Sequence, residues 1–289
     1  MSVNPASLNK CHVRRRFDRA AAGFDDVDYV HRASFDGLIE RLSPVIIEPK
    51  LILDLGSATG TGSRQLGKQF RKSAVISLDA SSQMLRISAA RHSSFSRIRE
   101  VRADAARIPL PTGSVDLVIA NMLLPWMDNL PAFFAEIARV LKKGGLFAFA
   151  TLGPDSFAEF RQAWAAIDAL PHVHVFPDMH IVGDALLQAG LGDPILDVDK
   201  LIVTFPGIIE LQRDLEGSGA RNCLQDRRQT LTGASRYRAM QREFHHIRKR
   251  SPVSLELELV YGHAWGRGPG MPAGEFHVEP GAIARHRRI

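Results

Sequence analysis

Short apolar runs recur through the first half of this chain, and each closes on or beside a polar residue. Leu51-Ile-Leu-Asp-Leu55 leads into a turn ending at Gly62, and Ala74 to Asp79, Ile98 to Asp104, Ser114 to Asn121 and Leu146 to Thr151 follow it. Short runs of this kind, bounded by turn residues, predict buried strands. Between them the apolar period lengthens. Ser63 to Phe70 reads as the start of a helix, and Leu130 to Leu141 has helical spacing, with Lys142 and Lys143 at its end and Gly144-Gly145 as the stop. Strands alternating with helices predict a doubly wound, mostly parallel α/β sheet with helices on both faces.

The flanks extend this plan. Residues 10–43 read as a helical segment whose apolar faces come from Phe17, Phe24, Tyr29, Phe35, Leu38 and Leu42, and residues 44–151 hold the five strands. The pattern then changes over 153–192: Ser156 to Leu170 and Met179 to Ala189 read as helices around an irregular piece, Pro171 to Pro177. This block is expected to lie over the strand ends as a helical lid insertion. In 193–265, Ile195 to Phe205 and Ser254 to Tyr261 read as two late strands, with helices Gly207 to Glu216 and Ala234 to Arg250 between them. The expected organisation is therefore one Rossmann-like domain, 1–265, with a seven-stranded sheet. A loose basic tail, 266–289, carries at most a short edge strand near Phe276.

Composition narrows the class. A chain of 289 residues, 45% hydrophobic, buries one sizeable core, and no apolar run reaches membrane-spanning length. Val13-Arg-Arg-Arg-Phe17 is basic but no apolar stretch follows it, so no secretory signal is expected; an organelle transit peptide is the alternative reading. Cys11 and Cys223 show neither metal spacing nor a disulfide framework, which predicts a reducing, cytoplasmic setting. The net charge of +6 slightly favours an acidic partner.

The candidate chemistry sits at the strand ends, where ligands bind in open α/β sheets. Asp54 stands just before Gly56, within reach of the glycine-rich turn, and a carboxylate there repels a phosphate and attracts a cation. Asp79 follows at about the interval at which an acid meets a ribose, and Met84 is placed to lie against an adenine face or, alternatively, in the core. Asp104 and Asn121 close the next two strands. The run Asp54-Leu-Gly-Ser-Ala-Thr-Gly60 resembles the first motif of class I S-adenosylmethionine-dependent methyltransferases, departing from it at Ala58, where glycine is usual. Alanine disfavours φ > 0, so a slightly altered loop is expected there. The resemblance implies S-adenosyl-L-methionine as cofactor, held by Asp54, Gly56, Ser57, Gly60, Asp79, Ala80, Met84, Asp104, Ala105 and Asn121.

The flanking motifs are more specific. Phe17-Asp-Arg-Ala-Ala-Ala-Gly-Phe24, Leu124-Pro-Trp-Met-Asp-Asn-Leu130, Thr151 to Phe157, Leu215 to Asn222 and Val260 to Trp265 resemble the malonyl-acyl-carrier-protein O-methyltransferases of biotin synthesis. Phe24 departs from that family, which often has Tyr there. The resemblance implies methylation of a malonyl carboxylate on an acidic carrier protein. Such a carboxylate is ionised at neutral pH and needs no general base, which accords with the absence of any Ser-His-Asp or Cys-His pattern. Arg161 is the candidate to grip that carboxylate, against an ordinary surface role. Trp126 is the candidate wall of the transfer site, against core packing. His172 and His174 read as loop polar groups rather than metal ligands. The basic run Arg236 to Arg250 reads as a solvated helix face or a dock for the carrier, and it lacks the aromatic interleaving of a nucleic-acid site. The same blocks, with Glu159-Phe-Arg161, also resemble complex I assembly factors associated with arginine hydroxylation, which stand as the alternative.

Overall fold

The computed structural model describes residues 7–93, 95–248 and 253–268. Its elements follow in the order α1 (Lys10–Ala20), α2 (Tyr29–Leu42), β1 (Leu51–Leu55), α3 (Thr61–Gln69), β2 (Ala74–Asp79), α4 (Ser82–Ala90), β3 (Ile98–Arg102), β4 (Val115–Asn121), α5 (Leu130–Val140), β5 (Leu141–Leu152), α6 (Ala158–Ala165), α7 (Met179–Gln188), β6 (Leu191–Phe205), α8 (Ile208–Gly217), α9 (Ala234–Arg248) and β7 (Val253–Gly266). The strands form one seven-stranded sheet in the order β3-β2-β1-β4-β5-β7-β6. β1 to β5 pair in parallel, and β7 inserts antiparallel between β5 and β6.

Alternation along each strand sorts side chains onto two faces. Ile52, Leu117, Ile119, Leu146 and Ala148 face one layer with Phe35 and Leu38 of α2, Leu66 of α3 and Met240 and Phe244 of α9. Leu53, Leu55, Val118, Phe147 and Phe149 face the other with Phe133, Phe134 and Ile137 of α5 and Val182 and Leu186 of α7. Side-chain caps start several helices: Asn129 accepts from Ala132 N on α5, and Asp178 from His180 N on α7.

Four sequence expectations shift. β5 begins at Leu141 and runs through the Lys142–Gly145 segment read as a helix stop, because Leu141 pairs with Val115 before the register shifts. The helix expected over Ser156 to Leu170 is confined to Ala158–Ala165. Both late strands are longer than their apolar patterns, since β6 and β7 pair from Leu191↔Gly266 to Phe205↔Val253. The second helix of the expected lid, α7, lies in the layer on the sheet against α5 and β6 rather than over the strand ends. Lys249, Arg250, Phe276 and the tail beyond residue 268 lie outside the described residues. Among the described residues no helix is long and apolar enough to cross a membrane.

Candidate active site

The turn after β1 is made by three residues in the left-handed region: Gly56 (φ 69°), Ala58 (φ 47°) and Gly60 (φ 76°). Glycine adopts this conformation freely, whereas an alanine Cβ there costs about 1–2 kcal/mol. Replacing the usual glycine therefore leaves Ala58 left-handed, against expectation. The pose is held because the Ala58 N–H donates to Asp79 Oδ2 at 3.0 Å. Asp79 Oδ1 accepts from Ser81 N at 2.7 Å, so one carboxylate at the end of β2 ties two turns together. Burial pushes the Asp79 carboxyl up, against the Ser81 and Ala58 N–H groups that favour its ionised form.

A cavity of 490 Å³ opens at these strand ends. Gly56, Asp79, Ala80, Asp104, Ala105 and Asn121 line it, all from the sequence motifs. The Asn121 amide is also committed elsewhere: its Nδ2 donates to the His31 carbonyl at 2.8 Å and its Oδ1 accepts from Ser34 Oγ at 2.8 Å.

Four predicted cofactor residues do not line the cavity. Asp54 is 3% exposed and lies beneath the turn, where its Oδ2 accepts from Ser63 Oγ at 2.6 Å. Burial raises its pKa to about 6, opposed by Ser63 and reinforced by the Asp79 charge. Ser57 belongs to the same buried chain, accepting from Ser77 Oγ at 2.8 Å. Gly60 serves the turn: a Cβ there would stand 2.2 Å from Ser88 Oγ. Met84 is fully buried against Ala20, Ala21 and Phe24, so it is a core residue rather than an adenine contact. Its position on α4 faces α1, a contact that spacing within one helix does not reveal.

A second cavity, of 360 Å³, adjoins the first, and Phe17, His31, Met122 and Trp126 line both. Met122 holds a left-handed φ of 54° just after β4, a strained conformation of the kind that collects at functional sites. Trp126 is packed edge-on between Phe17 (5.1 Å between ring centroids) and His174 (5.2 Å). The remaining wall carries Phe160 and Trp164 of α6, Tyr29, and the cations Arg16, Arg221, Arg227 and Arg228. Tyr29 donates to Asp214 Oδ2 at 2.8 Å.

Arg161 does not line this cavity. Its guanidinium is spent on main-chain carbonyls, donating from Nη1 to His174 at 3.1 Å and from Nη2 to Pro154 at 2.8 Å and Ser156 at 3.1 Å. The expected substrate clamp is a clamp on two loops instead, because α6 aims it back at its own entry turn. Arg228, which the sequence reading passed over, does line the cavity. Its Nη2 donates to Asp168 Oδ2 at 2.7 Å, while its Nε is buried without a partner. Asp168 Oδ1 meets His172 Nε2 at 2.8 Å, and His172 stacks on Trp164 at 3.8 Å between centroids. Burial would raise the Asp168 carboxyl, but the His172 and Arg228 hydrogen bonds outweigh it and hold it at about 2. His174 accepts from Cys223 N at 3.3 Å.

Phe24, singled out for standing where the family often has Tyr, lines the first cavity, and so does His31, for which the sequence carried no expectation. The apolar spacing of this segment includes Phe24 and not His31. The one signal available was that Phe17 and Phe24 bracket a motif shared with a family.

The glycine turn, the strand-end acids and the sheet order together define a class I methyltransferase fold. Residues 53–149 match the family described as a methyltransferase domain. The solved YcgJ protein of Bacillus subtilis shares the fold at a TM-score of 0.58 and 16% identity, over 82% of this chain and 99% of its own. Curated relatives reach further. A malonyl-acyl-carrier protein O-methyltransferase of Gallionella capsiferriformans is 36% identical over 92% of this chain and 94% of its own length. One from a Methylovorus species is 38% identical over 92% of each. The chain belongs to the malonyl-acyl-carrier protein O-methyltransferase family, and relatives of that name do not favour the hydroxylase alternative.

The first cavity fits the S-adenosylmethionine such enzymes use. Its volume suits a nucleoside-sized ligand. Asp79 and Asp104 place two carboxylates on its lining.

Proposed function

We propose that this chain transfers a methyl group from S-adenosylmethionine to the free carboxylate of a malonyl thioester on an acyl-carrier protein, giving the methyl ester that enters biotin synthesis. The observation that carries the reading is the pair of cavities meeting at Phe17, His31, Met122 and Trp126. One is lined by strand-end acids, the other by aromatic rings and arginines. When bound, the cofactor supplies an electrophilic methyl carbon on a sulfonium.

Asp79 and Asp104 hold the nucleoside, and Ala80 and Ala105 flank it. Asp54 braces the turn from below and offers a negative field for the cationic end of the ligand. Arg16, Arg227 and Arg228 draw an anionic acyl group into the second cavity. Trp126, wedged between Phe17 and His174, walls the crossing point and excludes water. The acceptor carboxylate is ionised before it enters, so these side chains bind and orient and move no proton.

An acidic carrier suits the exterior. α9 exposes Arg236, Arg238 and Arg242 and buries Met240 and Phe244, and Thr232, just before it, lines the acceptor cavity. A cytoplasmic site of action belongs to the same reading and is supported by the unpaired Cys11 and Cys223.

The test incubates the protein and S-adenosylmethionine with malonyl- and acetyl-carrier protein and follows both by mass spectrometry. One methyl group is expected on the malonyl carrier and none on the acetyl carrier, which lacks a nucleophilic carboxylate. Equal labelling of both sinks the proposal.

A further inference from the structure

His31 stands where the two cavities meet, and among the described residues neither ring nitrogen has a hydrogen-bond partner. It lies in the first turn of α2 and lines both spaces. Its main chain is locked: the His31 carbonyl accepts from Asn121 Nδ2 at 2.8 Å and from Ser34 Oγ at 3.1 Å, and Ser34 Oγ reaches Asn121 Oδ1 at 2.8 Å. The end of β4 therefore fixes this turn of α2. The ring packs on Phe24, 5.1 Å between centroids and tilted by 60°. Nδ1 is sealed from solvent with nothing bonded to it.

Among the described residues Nδ1 neither donates nor accepts, so a ligand oxygen meets the ring only at Nε2, and an anionic oxygen is met by an N–H. The favoured tautomer therefore leaves Nδ1 bare and carries the proton on Nε2, the nitrogen with an outlet to the cavities. Burial lowers the His31 pKa to about 4, so in the empty protein the ring is neutral at physiological pH; a carboxylate bound at Nε2 acts against this shift.

We propose that His31 is a catalytic residue of the methyl transfer, its Nε2–H donating to one oxygen of the acceptor carboxylate while the other oxygen attacks. This rests on the carboxyl-methyltransferase reading above and names the group that orients its nucleophile. In the step itself, a carboxylate oxygen forms a bond to the methyl carbon, the C–S bond breaks and its electron pair stays on sulfur. The anion and the sulfonium become neutral together, and His31 keeps its proton throughout.

The neutrality of His31 matters. Charge disappears on the way to the transition state, so a cation gripping the reacting carboxylate would stabilise the ground state more than the transition state and slow the reaction. A neutral donor positions the carboxylate at a smaller cost of that kind. Three of the arginines that line the acceptor cavity are turned largely to other partners, Arg221 to Glu216 among them, although Arg228 Nε has none. Arg228 is bonded to Asp168, and Arg227 to His12 and to the Leu224 carbonyl. They set the field of the cavity, and His31 holds the reacting end.

The test compares His31→Gln, His31→Asn and His31→Phe with the wild type. S-adenosylhomocysteine binding is measured by calorimetry and methyl transfer to malonyl-carrier protein by steady-state kinetics. A Gln amide reaches the Nε2 position, an Asn amide only the sealed Nδ1 position, and Phe keeps the shape without a donor. His31→Phe and His31→Asn should lose roughly 10- to 100-fold in kcat/KM, the range for a hydrogen bond to a charged group, with cofactor affinity within about threefold. His31→Gln should recover most of the loss. His31→Leu replaces the Phe variant if that ring fails to pack. Wild-type rates in the Phe or Leu variant overturn the proposal. So does a Gln variant as slow as Asn, or a loss of cofactor affinity that matches the loss of rate. A wild-type enzyme that binds cofactor but never labels the malonyl carboxylate defeats the substrate reading, and this proposal with it.

Discussion

Asp54→Asn tests the physics of the turn most directly, because two readouts should move in opposite directions. The Asp54 carboxylate is 3% exposed and hydrogen-bonded by Ser63. Its pKa is raised from 3.8 to about 6, chiefly by burial. A carboxyl raised in the folded state favours folding while it is protonated and loses that favour on ionising. The difference is absent below about pH 4, grows as pH rises from there through 6, and is complete above it. At about 1.4 kcal/mol per pH unit, ionised Asp54 costs the empty protein about 3 kcal/mol at neutral pH, little reduced by solvent at this depth. Asparagine keeps the shape and removes the charge, at the expense of one buried amide donor that costs about 1–3 kcal/mol at every pH. The pH-dependent part is therefore the clean signal. Denaturant unfolding of variant and wild type should give a stability difference that moves in favour of the variant by about 1.5 kcal/mol between about pH 5 and pH 7.5. Calorimetry at neutral pH should show the variant binding S-adenosylmethionine more weakly, since the negative field facing the cationic ligand is gone. A stability difference that stays flat across this pH range refutes the assignment of a raised pKa to Asp54. Unchanged cofactor affinity refutes its electrostatic part.

Other perturbations follow from the same geometry. Ala58→Gly should stabilise the protein by about 1 kcal/mol, because it relieves a left-handed alanine with φ 47°, and a lowered denaturation midpoint would show that the strain is absent. Arg161→Ala should cost about 2 kcal/mol of stability through the lost carbonyl bonds while sparing cofactor affinity; intact stability with a collapsed kcat/KM for the malonyl carrier would return Arg161 to the substrate. Charge reversal at the exposed Arg238 and Arg242 should depress kcat/KM for malonyl-carrier protein, most at low salt, and spare a short malonyl thioester, whereas equal responses would make α9 a solvated face.

Much of the molecule is legible in the sequence. The five parallel strands, the turn at Gly56 to Gly60 and the acids at their ends are local features: runs of buried residues, glycines where φ is positive, polar residues where strands emerge. The family resemblance came from short contiguous motifs, which a sequence displays completely. Asp79, Ala80, Asp104, Ala105 and Asn121 were found this way and line one cavity.

What the tertiary structure alone decided was direction and neighbourhood. Arg161 and Arg228 are the same residue type, and both bond to the stretch between Pro154 and His174. One folds back onto its own loop and the other reaches the acceptor cavity, a difference set by α6, Asp168 and His172 rather than by spacing. Met84 went to the core because α1 packs against α4, and β5 took up Lys142 to Gly145 because β4 offered it a partner. His31 carried no signal in its own segment. It became a junction residue only when Asn121, 90 positions away, bound its carbonyl and fixed that turn of α2 beside Trp126. Periodicity tells which face of an element is buried. It does not tell which other element covers that face, because that choice is made by contacts between residues far apart in the chain.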